Sequence, residues 1–173
     1  MATKWKIDTI HSEIQFKVKH LMISTVTGSF KDFDVEVVTD DDNFNNTASV
    51  QFEAAVASID TNNSQRDEHL KSADFFDAET FPKIRFEGND FQSNEKLTGT
   101  LTIKDVSLPF ILDVEYGGNV VDPYGQQKVG FTVSGKISRK DFGLTWNATT
   151  EAGTIVVGND IRIQAEIQLI KQV

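Results

Sequence analysis

The chain has no cysteine among its 173 residues, which excludes disulfides and thiol chemistry and removes the strongest zinc ligand. Positive charge is also short. Seventeen Lys and Arg stand against 26 Asp and Glu, a net charge of −9. Such a surface repels phosphate backbones and gains nothing from anionic membranes, so nucleic acid is not an expected partner. No apolar run approaches the roughly 20 residues that a membrane helix needs, so no integral membrane segment is expected. The start, Met1-Ala-Thr-Lys-Trp, enters a strand pattern at once and has no apolar leader core. That implies a cytoplasmic protein as written, or a periplasmic one if a signal peptide has been removed. The three histidines, His11, His20 and His69, match no metal-ligand spacing. There is no G-x-S-x-G elbow, no phosphate loop and no carboxylate pair placed by a motif. Neither a metal, a cofactor nor catalysis is expected.

What the chain does have is phenylalanine, thirteen of them beside two Trp and two Tyr, and a two-residue alternation of apolar with polar positions. Phenylalanine brings apolar area without a polar handle, which suits a core or the wall of a greasy cavity. Between Glu13 and His20, Ile14, Phe16, Val18 and His20 face one way and charged or polar residues the other, a half-buried strand. Leu21, Met22 and Ile23 break the alternation and read as a short piece buried between strands. Thr27-Gly28-Ser29 reads as the lead into a second strand with Phe33, Val35 and Val37 on its dry face. The acidic run 39–47 reads as a hairpin tip. A third strand spans Ala48 to Ile59, with alanines at 54, 55 and 57 leaving room for a tight corner or a ligand.

The second half continues the pattern through Lys83–Glu87, Lys96–Lys104, Leu108–Tyr116, Lys128–Ser138 and Asp160–Leu169, each with one apolar face. Gly117-Gly118 and Asp122-Pro123-Tyr124-Gly125 read as turns. Arg139-Lys140-Asp141-Phe142-Gly143 reads as a connection with its charges outside and Phe142 folded under; a cation there could also face the barrel mouth. The exception is Asn62–Asp77, where the period becomes helical. Ser64 reads as the cap, Asp67 suits the positive helix start, and Arg66, His69, Leu70, Ala73 and Phe76 fall on one face. Phe81-Pro82 ends the segment.

About eight consecutive strands of this length, with short turns and no βαβ rhythm, predict a single all-β domain over 1–173. The expected fold is an antiparallel β-barrel with one or two short helices, rather than a sandwich. The dry faces alone are read as a filled core, the ordinary fate of apolar strand faces. His20 reads as a core imidazole or a polar contact for a ligand. Arg66 and His69 read as a solvated face or a salt link to Asp67 or Asp74, or as groups that meet a ligand's head.

Four segments then carry a resemblance over essentially the whole chain: IDTIHSEIQFKVKHLMISTVTGSFKDF at Ile7–Phe33, IDTNNSQRDEHLKSADFFDAETFPKIRF at Ile59–Phe86, LTIKDVSLPF at Leu101–Phe110 and SRKDFGLTW at Ser138–Trp146. In this order they resemble the YceI-like family. The resemblance implies a lipocalin-like barrel that holds an isoprenoid or other long-chain lipid non-enzymatically. The wall it implies comprises Phe16, Val18, Leu21, Ile23, Phe52, Phe75, Phe76, Phe86, Leu101, Phe110, Phe131 and Trp146. His20, Arg66 and His69, with Asn62 or Asn63, are then expected near the polar end. One departure stands out. Where the family loop reads glycine-valine-threonine-lysine-proline, this chain has Asp105-Val106-Ser107-Leu108-Pro109, which implies a pocket less suited to an anionic head. The alternative is a filled barrel acting through its surface or as a homodimer, with Ile111 and Ile170 exposed.

Overall fold

A computed structural model describes residues 2–40, 44, 47–92, 95–147 and 156–173. The strands are β1 (Thr3–Ile7), β2 (Glu13–His20), β3 (Ser24–Phe30), β4 (Phe33–Thr39), β5 (Thr47–Ala55), β6 (Ile59–Asp60), β7 (Lys83–Gln92), β8 (Lys96–Ile103), β9 (Val106–Val121), β10 (Gln127–Ser138) and β11 (Val157–Lys171), with α1 (Ser64–Lys71) between β6 and β7. Every pairing is antiparallel. The eleven segments make eight barrel staves. β1 and β2 are one stave broken at residues 8–12, because β11 pairs with β2 through Val157–Glu166 and with β1 through Leu169–Lys171. β3 with β4, and β5 with β6, are broken in the same way, and β7 to β11 supply the rest. The β1–β11 pairing closes the ring, so one dry face becomes an interior.

The breaks have local causes. After β5 the small residues Ala54 and Ala55 allow a tight corner: Ala55 donates its amide to Asp32 O at 2.9 Å and Val56 donates to Pro82 O at 2.9 Å. Gly28, expected in a turn, lies inside β3. A Cβ there would collide with the ring of Phe16 on the neighbouring stave, so glycine is what lets that ring lie flat against the strand. Gly117 and Gly118 likewise lie within β9, opposite a bulge between Gly130 and Phe131. The real turn between β2 and β3 is Leu21–Met22, both with positive φ (52° and 61°), closed by Ile23 N donating to His20 O at 3.2 Å. This apolar piece is not buried: Ile23 is 83% exposed. The Asp122–Gly125 turn is as expected, with Gly125 at φ 80°. The tip at 40–46 lies largely outside the described residues, between the end of β4 and the start of β5.

The two ends of the barrel differ. At the base, Trp5 is fully buried and its indole donates to Thr39 Oγ1 at 3.1 Å. Phe44 stacks between Trp5 and Phe131 at centroid distances of 4.7 and 5.1 Å, and Tyr116 leans on Phe131 at 5.6 Å. The other end, the mouth, carries the β2–β3 turn, α1 with its flanks, and the segment after β10. No helix among the described residues is long and apolar enough to cross a membrane.

Candidate functional site

The inward faces of the staves do not meet. They enclose a cavity of about 240 Å³, and all but two of the residues lining it are apolar; the exceptions are Gln15 and Arg139. The reason lies in the alternation. Every second residue points inward, and several of those are small (Ala54, Ala165) or β-branched (Val35, Val37, Val133), so eight staves of their height leave a void along the axis.

Of the residues expected to meet a ligand, Phe16, Val18, Phe52, Phe75, Phe76, Phe86, Leu101, Phe110 and Phe131 line this lumen. They come from six different staves and from the segment after α1. Phe76 meets Phe30 edge-on at 6.3 Å, and Phe86 meets Phe110 at 6.5 Å. The structure places the others elsewhere. His20 keeps the inward phase of β2 but is exposed; it is the last residue of that strand, paired with Val157 and Ser24 at the end where β11 is bulged. Leu21 and Ile23 sit in the turn beyond it.

Arg66 and His69 are turned to local work. Arg66 is exposed; its Nε donates to Thr61 Oγ1 at 2.8 Å and its Nη2 to Thr61 O at 2.5 Å. Asp67 accepts from the amide and hydroxyl of the same threonine, at 2.8 and 2.5 Å. The helix cap is Asn63 rather than Ser64: its side chain accepts from the Arg66 amide at 3.0 Å. α1 ends at Lys71, so Phe75 and Phe76 come from the turns that follow, and Ala73, expected to anchor inward, is exposed. Leu70 does line the lumen.

His69 and Trp146 form a latch instead of a wall. The imidazole stands edge-on to Trp146 at 4.8 Å and to Phe75 at 5.1 Å, and Phe75 packs on Trp146 at 5.3 Å. His69 Nε2 is 2.9 Å from Asp74 Oδ2. This trio joins the α1 segment to the segment that follows β10, across the mouth. Trp146 is in turn held from behind by Arg139.

Arg139 departs from the default expectation of charges outside and lies nearer the alternative, a cation at the barrel mouth. Expected outside, it is 1% exposed and lines the lumen. Its Nε donates to Gly158 O at 2.9 Å, Nη1 to Leu144 O at 2.5 Å and Trp146 O at 2.8 Å, and Nη2 to Val157 O at 3.2 Å. Burial lowers its pKa below the usual guanidinium value. Its neighbours Lys140 and Asp141 are exposed and Phe142 is folded under, as expected. No group of three or more potential metal ligands occurs among the described residues.

Comparison with known proteins agrees with this geometry. The profile of the YceI-like domain matches residues 5–169. A UPF0312 protein of Staphylococcus epidermidis is 40% identical over 169 residues, covering 96% of both chains. The chain belongs to the YceI-like family. Among solved structures similar to this YceI-like chain, the Campylobacter jejuni YCEI protein is 35% identical with a TM-score of 0.75 over 90% of each chain. A polyisoprenoid binding domain from Saccharophagus degradans is 12% identical with a TM-score of 0.68, covering 97% of this chain and 98% of the other. That second likeness is one of fold alone. The YceI-like staves are those on which the lumen wall is built, so family and cavity describe the same part of the molecule.

Proposed function

We propose that the lumen binds the tail of an isoprenoid-like or other long-chain lipid, and that the protein carries or sequesters it without transforming it. The observation that carries this reading is the void itself: about 240 Å³ walled by apolar side chains. An apolar cavity of that kind stays dry and takes up apolar guests. Each buried methylene contributes roughly 0.8 kcal/mol, and ordering the chain returns part of it. Such a wall selects for length and shape. The polyisoprenoid binding domain of the same fold is in keeping with a tail of this class, as is membership of the YceI-like family.

Exchange would run through the mouth, where ring contacts of Trp146 with His69 and Phe75 join the two covering segments among the described residues. Breaking aromatic contacts worth roughly 0.5–1.5 kcal/mol each is a small barrier beside unzipping a stave. The test is to extract purified protein with organic solvent and analyse the extract by mass spectrometry. A long-chain lipid near one per protein is the expected result. An extract without lipid, together with failure to take up any added long-chain lipid, would end the reading.

A further inference from the structure

Among the described residues the lumen wall has one charge in it, and that charge lacks a partner of opposite sign. Arg139 makes four hydrogen bonds, all to main-chain carbonyls. Among the described residues it forms no ion pair: Asp141 beside it is exposed, and Asp160, across the strand pair, is 3.7 Å from Lys136. Carbonyl dipoles satisfy four of the guanidinium's five protons but leave its full charge uncompensated, in surroundings where charge is poorly screened. One Nη2 proton has no acceptor among the described residues. Buried arginine is ordinarily met by a carboxylate or phosphate in a forked arrangement, and here the lumen is open ground beside it.

We propose that Arg139 makes this a site for an acidic lipid: the carboxylate of a long-chain or isoprenoid acid sits in the mouth half of the lumen, and the tail runs toward Phe131 and Phe44 at the base. This rests on the lumen being a lipid site. It adds the head-group class and the direction in which the ligand lies. Leu108, where the family resemblance implies lysine, does not argue against it. The cation is supplied from the end of β10, on a different stave from the loop at 105–109. A phosphate of the same charge is larger than the single free donor warrants, so the carboxylate is the better match.

The test uses matched probes in delipidated full-length protein: hexadecanoic acid against hexadecanol, and farnesoic acid against farnesol. The tails are the same and only the head differs. At neutral pH each acid is expected to bind roughly tenfold or more tighter than its alcohol, the usual worth of a charge-assisted hydrogen bond. That advantage should vanish as the pH falls through the ligand's own carboxyl pKa, a measurement that needs no variant. In Arg139→Met the acid should lose its advantage while the alcohol still binds; circular dichroism establishes that the variant is folded. If Arg139→Met does not fold, the pH series on the unaltered protein decides. Equal binding of acid and alcohol at neutral pH would overturn the inference and leave the lumen reading intact. Binding of neither would overturn both.

Discussion

An empty lumen makes an unusual forecast about core mutagenesis. In a packed interior, putting a large side chain in place of a small one costs about 1–3 kcal/mol through strain. Here Ala165, midway along β11 and facing Val133 on one side and Ile14 on the other, looks onto the void. Cavities in protein cores cost about 24 cal/mol per Å³, so about 240 Å³ forfeits on the order of 6 kcal/mol of packing. Ala165→Phe would recover part of that, because burying a phenylalanine side chain contributes about 1.5–3 kcal/mol and its ordering returns some of it. The delipidated variant is expected to be more stable by up to ~2 kcal/mol, which for a chain of this size raises Tm by roughly 4–8 °C. It should also bind long-chain lipid more weakly, because ring and tail compete for one volume. Calorimetry on delipidated protein gives the first quantity and lipid titration the second. A fall in Tm of similar size would refute the reasoning, since it would mean that the space around Ala165 is already filled.

Three further outcomes follow from other parts of the molecule. Burial alone would raise the Asp8 carboxyl, but hydrogen bonds from Lys128 and His11 and their charges outweigh it and hold the pKa at about 2, below its ordinary 3.8. A lowered folded pKa contributes stability that is present above pH ~4 and lost as pH falls toward 2; Lys128→Met should flatten that part of the stability profile measured by urea denaturation. Trp146→Ala removes two ring contacts across the mouth, to His69 and Phe75, and is expected to speed release of a bound lipid on the order of tenfold in stopped-flow measurements, with an unchanged rate counting against the latch. Gly28→Ala places a methyl group inside the ring of Phe16; turning that ring into the lumen should cost ~1 kcal/mol in thermal denaturation and shorten the tail the protein accepts.

The dry faces were legible because a closed barrel obliges every stave to alternate, and Ile14, Phe16, Phe86, Leu101 and Phe131 follow that rule without help from their surroundings. Turns were harder. Gly28 and Gly117-Gly118 look like turn residues, yet they serve close approach and bulging within strands. The actual turn at Leu21–Met22 uses two residues that carry no turn signature and are forced into positive φ by the hairpin. Alternation also says nothing about where a stave reaches its end, and His20, the last residue of β2, has the inward phase yet is exposed. Arg139 was the hardest residue to place. An arginine beside a lysine and an aspartate reads as solvent-facing, and only the tertiary fold shows four carbonyls converging on it from two segments. For His69 the salt link to Asp74 was among the readings that spacing allowed, whereas Thr61, the partner of Arg66, was not anticipated: sequence spacing permits such local partners but does not choose between them.

The central claim is that an alkyl or isoprenoid tail lies inside the ring of staves, and a heavy atom can locate it. Crystals grown with a long-chain acid brominated at its far end would give an anomalous bromine signal that locates the end of the tail. The account predicts that signal within the lumen, among Phe44, Phe131 and their neighbours at the base. A bromine signal only on the outer surface, with the inner side chains packed across the axis, would contradict it.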